Sequence, residues 1–160
     1  MLKSVLGMTL VILSLASSSF AAIPRDQMHI GGLKLGMTLQ QVAAMYGTPV
    51  ADTSGTKASG GLYYIANGLF GGWIDGQINA FGQFYFDERK PGADRVVGTG
   101  NIRLGMTADE VVQRLGNPDI KDGNTFYYKS VEHGITWREH DMFNVYFTNG
   151  RVSSFTINVF

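Results

Sequence analysis

Apolar residues recur at helical spacing twice along this chain, at Leu39, Val42, Ala43 and Tyr46 and again at Ala108, Val111, Val112 and Leu115. The residues on either side specify where each helix starts and stops. Thr38 and Thr107 are positioned as N-caps, and Gln41 and Glu110, three residues on, complete a capping box. Met37 and Met106 precede the caps, where each can pack on Val42 or Val111 as a hydrophobic staple. Gly47 and Gly116 suit the residue that ends a helix, and Pro49 and Pro118 prevent its resumption. The two segments, from Leu35-Gly36-Met37-Thr38 to Gly47-Thr48-Pro49 and from Leu104-Gly105-Met106-Thr107 to Gly116-Asn117-Pro118, lie 69 residues apart. This predicts two copies of one folding unit. A helix of about three turns is not stable alone, so each must lie on other structure.

After each helix the pattern changes to aromatic and β-branched residues with strand-like alternation. Tyr63-Tyr64, Trp73 and Phe84-Tyr85-Phe86 are answered by Tyr127-Tyr128, Trp137 and Val145-Tyr146-Phe147, with the offset falling from 69 to 64 and then 61. We expect strands near Gly61 to Ala66, Leu69 to Ile74, Ile78 to Asp87 and Asp94 to Gly98. In the second half we expect them near Thr125 to Ser130, Gly134 to Arg138, Met142 to Thr148 and Arg151 to Val159. Asn149-Gly150 is a two-residue hairpin signal, and a longer loop from Arg89 to Ala93 serves the same purpose. The predicted fold class is α+β, with two tandem helix-plus-four-stranded antiparallel repeats and the helices packed on one face of the sheet. Val97 to Ile102 is the candidate junction and is too short for a flexible linker.

Alternation assigns faces. Phe84, Phe86, Val145, Phe147, Phe155, Ile157 and Val159 should meet the helices; Gln83, Tyr85, Asn144, Tyr146, Ser154, Thr156 and Asn158 should point the other way. That second face, left without a helix, is a candidate recognition surface, because tyrosine and tryptophan give large contact area at low entropic cost. The alternative is that its tyrosines only support the sheet through cross-strand pairs.

Composition narrows the class. Lys3, the apolar run Val5 to Leu15 and Ser19-Phe20-Ala21 have the pattern of a secretory signal peptide over residues 1–21, cut after Ala21. The apolar run falls short of a bilayer span. Cysteine is absent, so there is neither a disulfide framework nor a thiol to carry a lipid. A formal net charge of zero without a basic cluster argues against nucleic acid as a partner. The 21 glycines occur among many aromatics, which suits tight turns between strands better than disorder. The expected protein is exported, periplasmic or secreted, soluble, monomeric and without a membrane anchor. Its two units are assigned to residues 22–99 and 100–160.

Catalytic chemistry has few candidates. His133, Glu139, His140 and Asp141 form the densest polar group, but their spacing fits neither a helix-borne nor a knuckle metal site. No nucleophile elbow precedes a helix, no carboxylate pair has an evident partner, and Gly31-Gly32 and Gly60-Gly61 lack the context of a phosphate loop. His29 stands alone. We therefore expect no enzyme, no catalytic residue, no metal and no cofactor.

The LGMTxxxVxxxxGxP pattern, present twice with strands after each copy, resembles the tandem-repeat β-lactamase inhibitory proteins (BLIP-like) and the related outer-membrane assembly lipoproteins of the SmpA/OmlA (BamE-like) type. The segment Val145 to Val152 resembles the corresponding inhibitor segment as well. The resemblance implies a curved eight-stranded sheet whose concave face and hairpin tips clasp a protein. It places Asp75 near an acidic tip and the Glu139 to Asp141 turn at the corresponding place in the second half. On this reading the chain is an exported, non-enzymatic protein-binding module, with Tyr63, Trp73, Asp75, Tyr85, Tyr127, Trp137 and Tyr146 as candidate contacts. Trp73 and Trp137 are alternatively core residues, since their strand register is open. The alternative functions are a soluble periplasmic outer-membrane assembly factor or a β-lactamase inhibitor proper.

Overall fold

The computed structural model describes residues 23–51, 61–73, 83–86, 88–132 and 140–159. Two α-helices, α1 (Leu39–Tyr46) and α2 (Ala108–Leu115), stand where the apolar stripes place them, and both carry a complete capping box. At α1 the Gln41 amide N–H donates to Thr38 Oγ1 at 3.1 Å while Thr38 N–H donates to Gln41 Oε1 at 2.8 Å. At α2 the reciprocal pair joins Thr107 and Glu110. Val42 and Val111 are the buried residues of their helices and belong to the same hydrophobic cluster.

Among the described residues there are eight antiparallel strands: β1 (Val50–Ala51), β2 (Gly61–Ala66), β3 (Leu69–Trp73), β4 (Gln83–Phe86), β5 (Ile120–Asp122), β6 (Thr125–Lys129), β7 (Asp141–Thr148) and β8 (Arg151–Val159). They form one sheet of order β1-β2-β3-β4-β8-β7-β6-β5. Its centre is the long β7–β8 hairpin, turned at Asn149-Gly150 where both residues have positive φ, as the turn type requires. The core lies against this hairpin, where Phe143, Val145, Phe155 and Ile157 are fully buried, together with Tyr128, Leu33, Ile30 and Ile102. Burial pushes the Tyr128 phenol well above its ordinary pKa, and its hydroxyl donates to the Gly116 carbonyl at 3.3 Å.

The predicted architecture of two matched helix-plus-four-strand repeats, with helices on one face, is overturned by the strand register. Past Pro49 and Pro118 the helix offset of 69 equates Ala51 with Ile120, and the tyrosine offset of 64 equates Tyr63 with Tyr127. Those pairs are indeed neighbours within each half, Ala51 opposite Tyr63 and Ile120 opposite Tyr127. Yet Tyr63 falls in the row Tyr63, Gly71, Phe84, Ile157, Phe143, Tyr128, whereas Tyr127 falls in the neighbouring row with Asn144 and Thr156. Directly paired residues share a face and successive residues alternate, so the matched Tyr63 and Tyr127 lie on opposite faces of the sheet while the matched Tyr85 and Tyr146 share one. Among the described residues the fold is mixed α+β, with two short α-helices and one continuous sheet.

Element boundaries are corrected too. The predicted strand Asp94 to Gly98 is a 3-10 turn at Ala93–Arg95 followed by an extended stretch. The edge strands β1 and β5 were not expected, and the predicted strand Gly134 to Arg138 lies outside the described residues. The junction is part of the core rather than a spacer. Gly31 N–H donates to the Val97 carbonyl at 2.8 Å, Thr99 N–H to the His29 carbonyl at 2.9 Å and Gly98 N–H to the Ile102 carbonyl at 2.8 Å. The turn before α2 is likewise fastened to the start of β8: Gly105 N–H bonds the Val152 carbonyl, and Val152 N–H returns to Met106.

An N-terminal strap joins the far end of the hairpin. Ile23 bridges Ser130, Val131 N–H donates to the Ile23 carbonyl at 3.0 Å, and Arg25 N–H donates to Glu132 Oε2 at 2.7 Å. The Arg25 guanidinium closes an ion pair on Asp141, whose side chain is buried. The expected signal peptide, residues 1–21, lies outside the described residues, and no helix among the described residues is long and apolar enough to cross a membrane.

Candidate functional site

The sheet face turned away from the core is organised by a single transverse row. Val50 pairs with Tyr64, Tyr64 with Phe70 and Phe70 with Tyr85. Across the β4–β8 junction the row continues at Thr156, which pairs with Asn144, then Tyr127 and finally Ile120. The backbone register thus places an aromatic or amide residue at nearly every step between the two edges. Val50 and Ile120, at the ends, are among the exposed large hydrophobic residues of the chain.

Within β7 and β8 polar side chains of this face are tied together. Asn144 donates through Nδ2 to Thr156 Oγ1 at 3.1 Å and to Asn158 Oδ1 at 2.8 Å, and the Tyr146 hydroxyl lies 3.4 Å from Thr156 Oγ1. Such a network fixes side-chain positions, which lowers the entropic cost of presenting them to a partner. Asn144 Oδ1 is buried with no hydrogen-bond partner among the described residues. The face is less open than its alternation suggests: Asn144 and Met142 are buried at the centre of β7, while Tyr127, Tyr146, Ser154, Thr156 and Asn158 are partly exposed.

Of the seven predicted contact residues, Tyr85, Tyr127 and Tyr146 take register positions on this face. Tyr63 instead takes a register position in the core-side row, and Trp73, two residues beyond Gly71 on β3, shares that parity. Tyr64 holds the place expected of Tyr63. The reason is that the 64-residue offset between the tyrosine pairs matches sequence and ignores which side of the junction each strand meets. Asp75 and Trp137 lie outside the described residues. His133 and Glu139, from the densest polar group, also lie outside them, and Asp141 is engaged by Arg25. Among the described residues no three His, Cys, Asp or Glu side chains are grouped to hold a metal ion.

Sequence reasoning placed Asn144 on this face but did not single out Tyr64 or the edge residues Val50 and Ile120. Tyr64 had a signal, adjacency to Tyr63, but only the register chooses between them. No protein-family model, curated protein or solved structure matches the chain.

Proposed function

We propose that this chain is an exported, non-enzymatic protein-binding module that recognises a protein partner through the sheet face bearing Tyr64, Tyr85, Tyr127 and Tyr146. The observation that carries the reading is the transverse row itself, which runs from Val50 to Ile120 with aromatic and amide residues between exposed apolar ends. Rigid amphipathic side chains around a hydrogen-bonded centre are what interface hot spots use. Export rests on the signal-peptide pattern at residues 1–21. The likeness of the LGMT segments to β-lactamase inhibitory proteins and to outer-membrane assembly lipoproteins favours a protein as the ligand and supplies two specific alternatives.

A photo-crosslinking residue at Tyr127 or Tyr146, compared with one at the exposed Arg103, tests the reading in cells. A discrete adduct from both face positions and none from Arg103 is expected. Equal labelling from all three, or none from the face, refutes it. Loss of nitrocefin hydrolysis on adding the protein identifies an inhibitor, whereas an adduct containing an outer-membrane assembly component identifies an envelope factor.

A further inference from the structure

A second surface, away from the sheet face, has the chemistry of a small-molecule site. The N-terminal strap, the 99–101 turn and the last turn of α2 border an open cleft of about 600 Å³. That volume falls within the range of ordinary ligand pockets. Ile23, Pro24 and Leu115 supply its apolar lining; Asp26, Gln27, His29, Lys34, Asn101 and Arg114 supply its polar groups. Donors outnumber acceptors. Neither Lys34 nor Arg114 closes a salt bridge among the described residues, and Asp26 is the sole carboxylate in the lining.

His29 is held in one tautomer by its neighbours. Its Nδ1 accepts the Gly32 N–H at 3.3 Å, so the neutral ring carries its proton on Nε2, which has no hydrogen-bond partner among the described residues. The backbone around it is clamped, with His29 N–H donating to Thr99 Oγ1 at 2.9 Å and Thr99 N–H returning to the His29 carbonyl. The turn opposite is left-handed and fits closely against α2. Gly100 and Asn101 have φ of 65° and 60°, and a Cβ at Gly100 would lie 2.3 Å from Leu115 Cδ2, so glycine is required there.

We propose that this cleft binds a small organic anion, a carboxylate or a phosphate ester, held by the Lys34 ammonium, the Arg114 guanidinium and the His29 Nε2–H, with its apolar part against Ile23 and Leu115. Charge-assisted hydrogen bonds of this kind are the strong ones. Asp26 opposes the anion and sets a limit on its affinity. Burial and then the Lys34 charge hold the His29 pKa below the usual imidazole value, so a bound anion has a spectroscopic signature: it raises that pKa.

Titrating the purified protein with acetate and, separately, with inorganic phosphate, at ionic strength matched by sodium chloride, tests this through the His29 ring signals in NMR. Saturable movement with one anion or both, absent with chloride, is expected, together with a rise in the His29 pKa. Acetate alone identifies a carboxylate ligand and phosphate alone a phosphorylated one. Lys34→Gln and Arg114→Gln should each weaken the response about tenfold, the factor for losing one charge-assisted hydrogen bond, and Asp26→Asn should strengthen it. No saturable movement with either anion, or movement unchanged in the double Lys34→Gln/Arg114→Gln variant while its thermal unfolding matches the parent, overturns the proposal.

Discussion

Gly98 lies in the junction between the two halves of the chain, and replacing it with alanine probes how tightly that junction is built into the core. A Cβ at Gly98 would stand 2.9 Å from Phe143 Cζ, 3.2 Å from Phe143 Cε2 and 3.3 Å from Phe155 Cδ2. Carbon atoms in contact prefer roughly 3.5–4.0 Å, so the methyl overlaps both rings by several tenths of an ångström. Both phenylalanines are fully buried and pack on each other with centroids 5.9 Å apart, so neither ring can retreat without disturbing the β7–β8 core. Overpacking of this kind costs about 1–3 kcal/mol. The backbone adds no strain, since Gly98 has φ −92°. Alanine also restricts the unfolded chain, which offsets the cost by about 0.4–1 kcal/mol. A net loss of about 0.5–2 kcal/mol is expected, read as a lower urea midpoint with unchanged m. Shortening the ring in Gly98→Ala/Phe143→Leu should recover part of it, as a coupling energy of about 0.5–1.5 kcal/mol in a double-mutant cycle. A Gly98→Ala protein as stable as the parent, or a cycle with no coupling, refutes the claim that the junction is packed against the hairpin.

Two further outcomes follow from local chemistry. The Glu110 carboxylate is held below its ordinary value of 4.5, chiefly by the Thr107 backbone N–H it accepts and then by the Thr107 hydroxyl. A carboxylate depressed on folding contributes stability above its unfolded pKa and loses it as pH falls through the folded one. The stability gap between the parent and Glu110→Gln in urea should therefore be widest at neutral pH and close below about pH 4.5; a gap independent of pH contradicts the capping role. Arg25→Ala strips the partner from buried Asp141, whose Oδ1 already lacks a hydrogen bond. Because Arg25 is 38% exposed, the expected cost is about 1–3 kcal/mol rather than the full penalty of a buried unpaired charge. Adding Asp141→Asn should reduce that cost, and calorimetry showing equal losses in the single and double variants would assign it to something other than the ion pair.

The helices were legible because everything that specifies them is local. A cap hydroxyl, its reciprocal partner three residues on and a terminating glycine lie within one short segment, and both predicted capping boxes are present with the predicted partners. The Asn149-Gly150 turn was legible for the same reason. Strands were read well where alternation and a turn coincide, as at Arg151–Val159, and poorly where a pairing partner is distant. Val50–Ala51 has no strand signal of its own, because it is extended through bonding to β2. The cleft between the strap and α2 had no signal either. His29 and Lys34 are five residues apart, but Arg114 is 80 residues beyond Lys34 and joins them in one lining only through the folded backbone.

By itself the sequence determined two capped helices, a hairpin at Asn149-Gly150 and the apolar set Val145, Phe147, Phe155 and Ile157 that joins the core, since these depend on neighbours a few residues away. Tertiary structure alone decided which of Tyr63 and Tyr64 takes the open face. The β4–β8 pairing of Phe84 with Ile157 sets the parity of the whole first half against the second. A strand has a side-chain period of two, so a shift of one residue at that junction would turn Tyr63 outward and Tyr64 inward without changing a single residue.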